Sequence, residues 1–186
     1  MEDIELIIET TKEGMNEATE RLARELGKIS TGKATPVMLD NLRPEYYGTP
    51  TALHQVANVT TADARTLIIQ PWEKSMIGPI ERAIFEANLG FTPQNDGQII
   101  RINIPPLTQE RRKEFVKRAK SLGEEARVSI RNARRDAMEE IKKAVRDGFP
   151  EDLGKRKEGE IQEMTTSFTE RVERLLEVKE KDIMTV

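Results

Sequence analysis

The segment LTQERRKEFVKRAKSLGEEARVSIRNARRDAMEEIKKAVRD, residues 107–147, decides the fold. Its small and apolar side chains, Phe115, Ala119, Leu122, Ala126, Ile130, Ala133, Ala137, Ile141 and Ala144, recur in steps of four, three and four. Such an eleven-residue repeat has a period of about 3.67 residues per turn, close to that of an undistorted helix. The spacing predicts one long, nearly straight helix. Pro106 cannot lie inside it, Thr108 can cap it, and Gly148 with Pro150 stops it. At a rise of about 1.5 Å per residue it is on the order of 60 Å long, longer than a small domain is wide.

The other faces of this helix are charged. Arg111, Arg112, Lys113, Lys117, Arg118 and Lys120 are followed by Arg127, Arg131, Arg134 and Arg135. Arg127, Arg131 and Arg134 stand at i, i+4 and i+7, which puts three guanidinium groups on one face, with Arg135 beside Arg131. A solvated helix surface would satisfy the same pattern. The use of arginine where lysine would solvate equally well favours a polyanion, because the guanidinium fork matches phosphate in a bidentate way.

Composition narrows the classes. At 186 residues, 37% hydrophobic and 34% charged, the chain has room for one or two small domains. Aromatic content of only 4% argues for long helices rather than a sandwich or barrel. The net charge is −3, so nucleic-acid binding follows from the local stripe and not from the total. Without cysteine there is no disulfide framework, thiolate nucleophile or thiolate metal site. The opening MEDIELIIETTKEG is acidic with a very short apolar run, so no signal peptide is expected. No segment is long enough to span a membrane, and a cytoplasmic protein is the expectation.

Along the chain, residues 3–28 carry Ile4, Ile8, Met15, Ala18, Leu22, Leu26 and Ile29 on one helical stripe, with Thr11 filling a gap. From Gly32 to Pro106 the texture changes: prolines multiply, helical periodicity stops, and runs such as Leu67-Ile68-Ile69-Gln70 and Ile99-Ile100-Arg101-Ile102-Asn103-Ile104 read as strands. One helix is expected there, over residues 74–88, with Gly90 as its stop. Residues 148–156 read as a turn, and residues 160–183 as a last helix on Ile161, Met164, Phe168, Val172, Leu175 and Ile183. Each long helix has one apolar stripe and needs two partners to bury it, which predicts an elongated three-helix bundle. The expected division is a bundle of residues 1–30 and 106–186 and an inserted strand-rich domain of residues 31–105. Two short connections, residues 30–33 and 104–107, form a candidate hinge: Ser30, Thr31, Gly32 and Lys33 on one side, Ile104, Pro105 and Pro106 on the other. Gly32 makes the first pliant, whereas the prolines stiffen the second.

Catalytic chemistry finds little footing. Gly27-Lys28-Ile29-Ser30-Thr31-Gly32-Lys33-Ala34 nearly matches the phosphate loop, but Ala34 stands where a magnesium-binding hydroxyl belongs and a helix precedes it instead of a strand. The single histidine, His54, cannot assemble a metal site or triad alone. Trp72, Tyr46 and Tyr47 could stack on bases, although a small domain with few aromatics needs them for its own cohesion. No enzyme, cofactor or metal is expected. An adaptor binding an acidic protein would be indifferent to ribonuclease, and a nucleotide-hydrolysing enzyme would show intrinsic GTPase or ATPase activity.

A family resemblance runs almost end to end. It rests on Gly32-Lys33-Ala34-Thr35-Pro36 with Leu39-Asp40, then Glu45-Tyr46-Tyr47-Gly48, Arg65-Thr66-Leu67, Pro71-Trp72-Glu73-Lys74-Ser75-Met76, Ala87-Asn88-Leu89-Gly90 and Ile104-Pro105-Pro106-Leu107-Thr108. The most telling block is Ala126-Arg127-Val128-Ser129-Ile130-Arg131-Asn132-x-Arg134-Arg135-Asp136-Ala137. In these blocks, in this order, the chain closely resembles the ribosome recycling factor family. It departs from the family's usual pattern at Ala52, at Phe91-Thr92-Pro93 and at Met138.

The resemblance implies an α+β, L-shaped molecule: an elongated antiparallel three-helix bundle with an inserted small β/α/β domain on a two-stranded hinge. It implies no catalysis by the chain itself. The partners it implies are the large ribosomal subunit, through its ribosomal RNA, and elongation factor G, whose GTP hydrolysis helps disassemble the post-termination ribosome. Initiation factor three would then prevent reassociation, and the factor itself would be a monomer. Carried over position by position, the family's critical ribosomal RNA contact falls on Arg131, with Arg127, Arg134 and Arg135 in support and Asn132 as a further polar contact.

Overall fold

The computed structural model describes residues 2–185; Met1 and Val186, at the outer limits of the expected bundle, lie outside the described residues. The chain divides into two compact units, one of Met1–Thr31 with Gln109–Val186 and one of Gly32–Thr108.

The first unit is built from α1 (Glu2–Gly27), α3 (Gln109–Arg146) and α4 (Glu151–Met184). Between them in sequence lies α2 (Ile77–Ala87), which belongs to the second unit. The α3 helix runs 38 residues without interruption. Its stripe buries Ala119, Ala126, Ile130, Ala137 and Ile141, as the repeat predicts. Cross-helix contacts fix the directions. Glu5 meets Lys157 and Asn16 meets Arg171, so α1 and α4 run parallel. Arg127 meets Glu173 and Arg134 meets Gln162, so α3 is antiparallel to α4. One core joins Met15, Leu22 and Leu26 to Ala126, Ile130, Val172 and Leu176, and a smaller one joins Ala137, Ile141 and Ile161. Met138, a departure from the family pattern, packs against the smaller core. Buried threonines are tolerated because Thr11, Thr19 and Thr165 each donate the hydroxyl to the carbonyl four residues back, at 2.7, 2.9 and 2.7 Å.

The start of α4 differs most from the sequence reading. The turn expected over residues 148–156 shrinks, and α4 begins at Glu151 instead of near Glu160. Phe149 N–H donates to the Ala144 carbonyl at 2.9 Å and Gly148 N–H to that of Val145 at 3.1 Å, with Gly148 at φ +110°. This paired closure ends α3 within one turn. Pro150 then precedes the new helix, and its carbonyl accepts from Gly154 N–H at 2.9 Å. Gly154 reads as a turn residue in sequence, but a Cβ there would lie 2.5 Å from Val145 Cγ2, so its role is to let the two antiparallel helices approach. Gly123, which the stripe passes over, is buried for the same reason: a Cβ would run into the Leu176 side chain.

The second unit holds a hairpin of β1 (Glu45–Tyr46) and β2 (Thr49–Pro50). It also holds a four-stranded antiparallel sheet of β3 (Ala57–Asp63), β4 (Thr66–Pro71), β5 (Pro93–Asn95) and β6 (Ile100–Asn103), in the order β3-β4-β6-β5. In register, Leu67 faces Ile102 and Ile69 faces Ile100, and all four are fully buried. Ile80 and Ile84 of α2 close over them. Asn88, in the left-handed conformation at φ 50°, ends α2 two residues before the expected stop at Gly90. The strands read from sequence, β4 and β6, are the central ones. The edge strands β3 and β5, rich in polar residues, are decided by pairing.

Candidate nucleic-acid interface

The arginine block of α3 flanks its buried stripe. Ala126, Ile130 and Ala137 face the core, and the residue after each of the first two, Arg127 and Arg131, emerges at the margin. Arg127 sits deepest, its side chain 25% exposed. Its Nε donates to Glu124 Oε2 at 3.0 Å and its Nη1 to Glu173 Oε1 of α4 at 2.7 Å. Arg131, 59% exposed, donates from Nη2 to the other oxygen of Glu124 at 2.8 Å. Arg134 is half-buried, with Nε donating to Gln162 Oε1 at 2.9 Å. Arg135 is exposed and approaches the neighbouring Asp136 at 3.6 Å. Asn132 is exposed beside them. The structure thus brings all five expected residues to one stretch of helix surface.

The four guanidinium groups are balanced against three carboxylates, those of Glu124, Glu173 and Asp136. Hydrogen bonds from Arg131 and Arg127, reinforced by their charges, hold the Glu124 carboxyl below its ordinary pKa. Burial works against the charge on Arg127, but its hydrogen bonds to Glu124 and Glu173 outweigh it and raise the pKa above the ordinary arginine value. Glu124 and Arg127 therefore both stay ionised near neutral pH. The result is a row of fixed cations in graded restraint, from Arg127 held at both ends to Arg135 nearly free to reach an acceptor. Arrays of this kind suit phosphate oxygens spaced along a backbone. Toward the start of α3, Lys113, Lys117 and Lys120 extend the cationic surface, and Arg111 lies over the Phe115 ring at 5.5 Å.

The candidate hinge residues lie where the chain passes between units. Ser30 and Thr31 end the first crossing in the helical unit, and Gly32 and Lys33 begin the second unit. Gly32 is buried at φ +73°, and a Cβ on it would lie 3.0 Å from Leu107 Cγ and 3.2 Å from the Leu107 nitrogen. Within the second unit, both connecting segments are tied to the turn between β3 and β4: Ala34 N–H donates to the Ala64 carbonyl and Ile104 N–H to that of Arg65, each at 2.7 Å. Pro105 and Pro106 follow, exposed. The near match to a phosphate loop resolves into the end of α1, with Ile29 N–H closing a turn on the Leu26 carbonyl at 3.1 Å.

The ribosome recycling factor family model matches residues 22–184, which includes the whole arginine block. The chain belongs to the ribosome recycling factor family. It is 53% identical over 186 residues to the ribosome-recycling factor of Christiangramia forsetii and 47% identical over 187 residues to that of Porphyromonas gingivalis, covering all of both. Among solved structures, a solution structure of the ribosome recycling factor matches over the full length of both chains with a TM-score of 0.83 at 33% identity. A second match covers 98% of this chain, with a TM-score of 0.65 at 41% identity. It describes the Thermus thermophilus ribosome recycling factor and Escherichia coli elongation factor G bound to the Escherichia coli post-termination complex. The α+β fold expected of a ribosome recycling factor is the fold observed.

Sequence reading missed the part of this surface that α4 contributes. Glu124 was legible as an ion-pairing residue, since it stands three and seven positions before Arg127 and Arg131. Glu173 and Gln162 gave no such signal, because only the pairing of α4 with α3 brings them to the arginines. Among the described residues, no helix is long and apolar enough to cross a membrane.

Proposed function

We propose that this chain recycles ribosomes. Acting with elongation factor G and GTP, it disassembles the post-termination complex and frees the large subunit, so that ribosomes can re-enter initiation, with initiation factor three preventing reassociation. The observation that carries this reading is the ordered row Arg127, Arg131, Arg134 and Arg135 on one uninterrupted 38-residue helix of a recycling-factor chain. Its chemistry is that of a phosphate-binding rail, and large-subunit ribosomal RNA is the polyanion, with Arg131 as the principal contact and Asn132 beside it.

The work is mechanical, and the GTP is hydrolysed by the partner. Rigid attachment of the bundle to RNA gives a fixed base. The connections at Ser30, Thr31, Gly32 and Lys33 and at Ile104, Pro105 and Pro106 serve as the hinge, so that elongation factor G can drive the strand-rich domain while the bundle holds. Support comes from the ties of Ala34 and Ile104 to the β3–β4 turn, which anchor the two hinge segments at their small-domain ends, with Ile104 as the fixed end from which Pro105 and Pro106 lead out. In this reading the protein is a cytoplasmic monomer with no catalytic group of its own.

The decisive experiment follows splitting of model post-termination ribosomes by light scattering, with a matched elongation factor G and GTP. The native chain is expected to split them. Arg131→Ala is expected to lose most of the activity while keeping the helical spectrum. Failure of the native chain would overturn the proposal.

A further inference from the structure

Glu124 bonds to two arginines at once, through different oxygens, and lies exposed on the surface proposed to meet RNA. For stability alone the arrangement has little to offer, because exposed ion pairs contribute weakly. For RNA binding it is costly, because a carboxylate repels phosphate and occupies guanidinium N–H groups that phosphate would use. We propose that Glu124 is the positioning and specificity-determining residue of the arginine rail, fixing the spread of Arg127 and Arg131 and holding down attraction to RNA of the wrong shape. The inference rests on the ribosomal RNA reading above.

The geometry supplies the reason. Arg127 is anchored a second time by Glu173 of α4 at 2.7 Å, so it forms a fixed post between two helices. Glu124 ties the more exposed Arg131 to that post at 2.8 Å. A free arginine samples many rotamers and follows any phosphate, whereas a tethered one presents its open N–H groups along a set direction. Correctly spaced phosphates engage the tethered pair without reorganisation. Arbitrary duplex must pull Arg131 away from a carboxylate first, and so binds more weakly. Restraint of this kind builds selectivity by disfavouring the wrong partner.

The test compares the native chain, Glu124→Gln and Arg131→Ala for binding to isolated large ribosomal subunits and to an unrelated RNA duplex across a salt series. Melting curves confirm that each variant is folded. Glu124→Gln keeps an oxygen acceptor but removes the charge. It is expected to bind the unrelated duplex about threefold or more tightly, with a salt dependence steeper by up to one phosphate contact. Its preference for subunits should fall by at least the same factor. A purely structural role would leave that preference and the salt slope unchanged. An unchanged preference, or equal gains on both RNAs, would overturn the role of Glu124 while leaving the rail intact, provided Arg131→Ala still weakens subunit binding. If Arg131→Ala binds subunits as well as the native chain does, the rail itself fails and the inference falls with it.

Discussion

Arg127 and Arg131 stand one helical turn apart on α3, yet their surroundings assign them different duties. Arg127 bridges α3 to α4 through Glu173, so Arg127→Ala is expected to weaken RNA binding and also to lower bundle stability by about 1 kcal/mol, visible in chemical denaturation. Arg131 pairs with Glu124 of its own helix. Its removal should leave the unfolding midpoint in place while reducing the salt slope of subunit binding by about one. The same pair sets a pH dependence. Because Arg131 and Arg127 depress the Glu124 pKa in the folded chain, their contribution is complete above the ordinary glutamate range and is lost as pH falls through the depressed value. Carboxyl titration by NMR should find Glu124 below its ordinary 4.5, moving upward in Arg131→Ala. Titration at the ordinary value in the native chain would contradict the clamp.

At the scale of elements, glycine separates packing from propensity. Gly14 and Gly159 lie inside α1 and α4 with open space where a Cβ would go, whereas Gly123 and Gly154 face Leu176 and Val145 across the α3–α4 seam. Replacement by alanine at the open sites is expected to stabilise by roughly 0.5–1 kcal/mol each, because a helix interior favours alanine by that amount. Gly123→Ala should instead destabilise by about 1 kcal/mol or more, since overpacking against a buried leucine exceeds the propensity gain. Thermal unfolding of the four variants checks both signs together. Gly154→Ala meets the branched Val145, whose rotamer is restricted in a helix, and should behave like Gly123→Ala.

For the molecule as a whole, the prediction concerns Gly32. Alanine there would carry positive φ at a strained position and press on Leu107 backbone and side chain. Because the arginine rail lies in the other unit, Gly32→Ala is expected to bind large subunits as the native chain does but to split ribosomes several-fold more slowly, with the second unit destabilised by about 1–2 kcal/mol. Equal loss of binding and splitting would move the fault from the hinge to the rail. The comparison separates holding from moving, which the proposed mechanism assigns to different parts of the chain.

The long helix, the basic stripe of Arg127, Arg131 and Arg134, the strand-rich insert and the resemblance to recycling factors were legible in sequence, because they rest on local periodicity and residue order. Helical spacing alone orients Arg127, Arg131 and Arg134 together. What sequence left open depends on partners distant in the chain. Sequence places the start of α4 nine residues late, because Gly148, Pro150 and Gly159 read locally as a turn and a weak helix start, whereas α4 already runs through Gly154, packed close on Val145. Strands β3 and β5 carry little apolar pattern and exist because β4 and β6 offer them hydrogen bonds. The carboxylate and amide that hold Arg127 and Arg134 come from α4, 46 and 28 residues away. Sequence determined which residues could meet a polyanion; tertiary packing decided how tightly each is held, because a side chain's restraint is set by neighbours that only the fold brings within hydrogen-bonding reach.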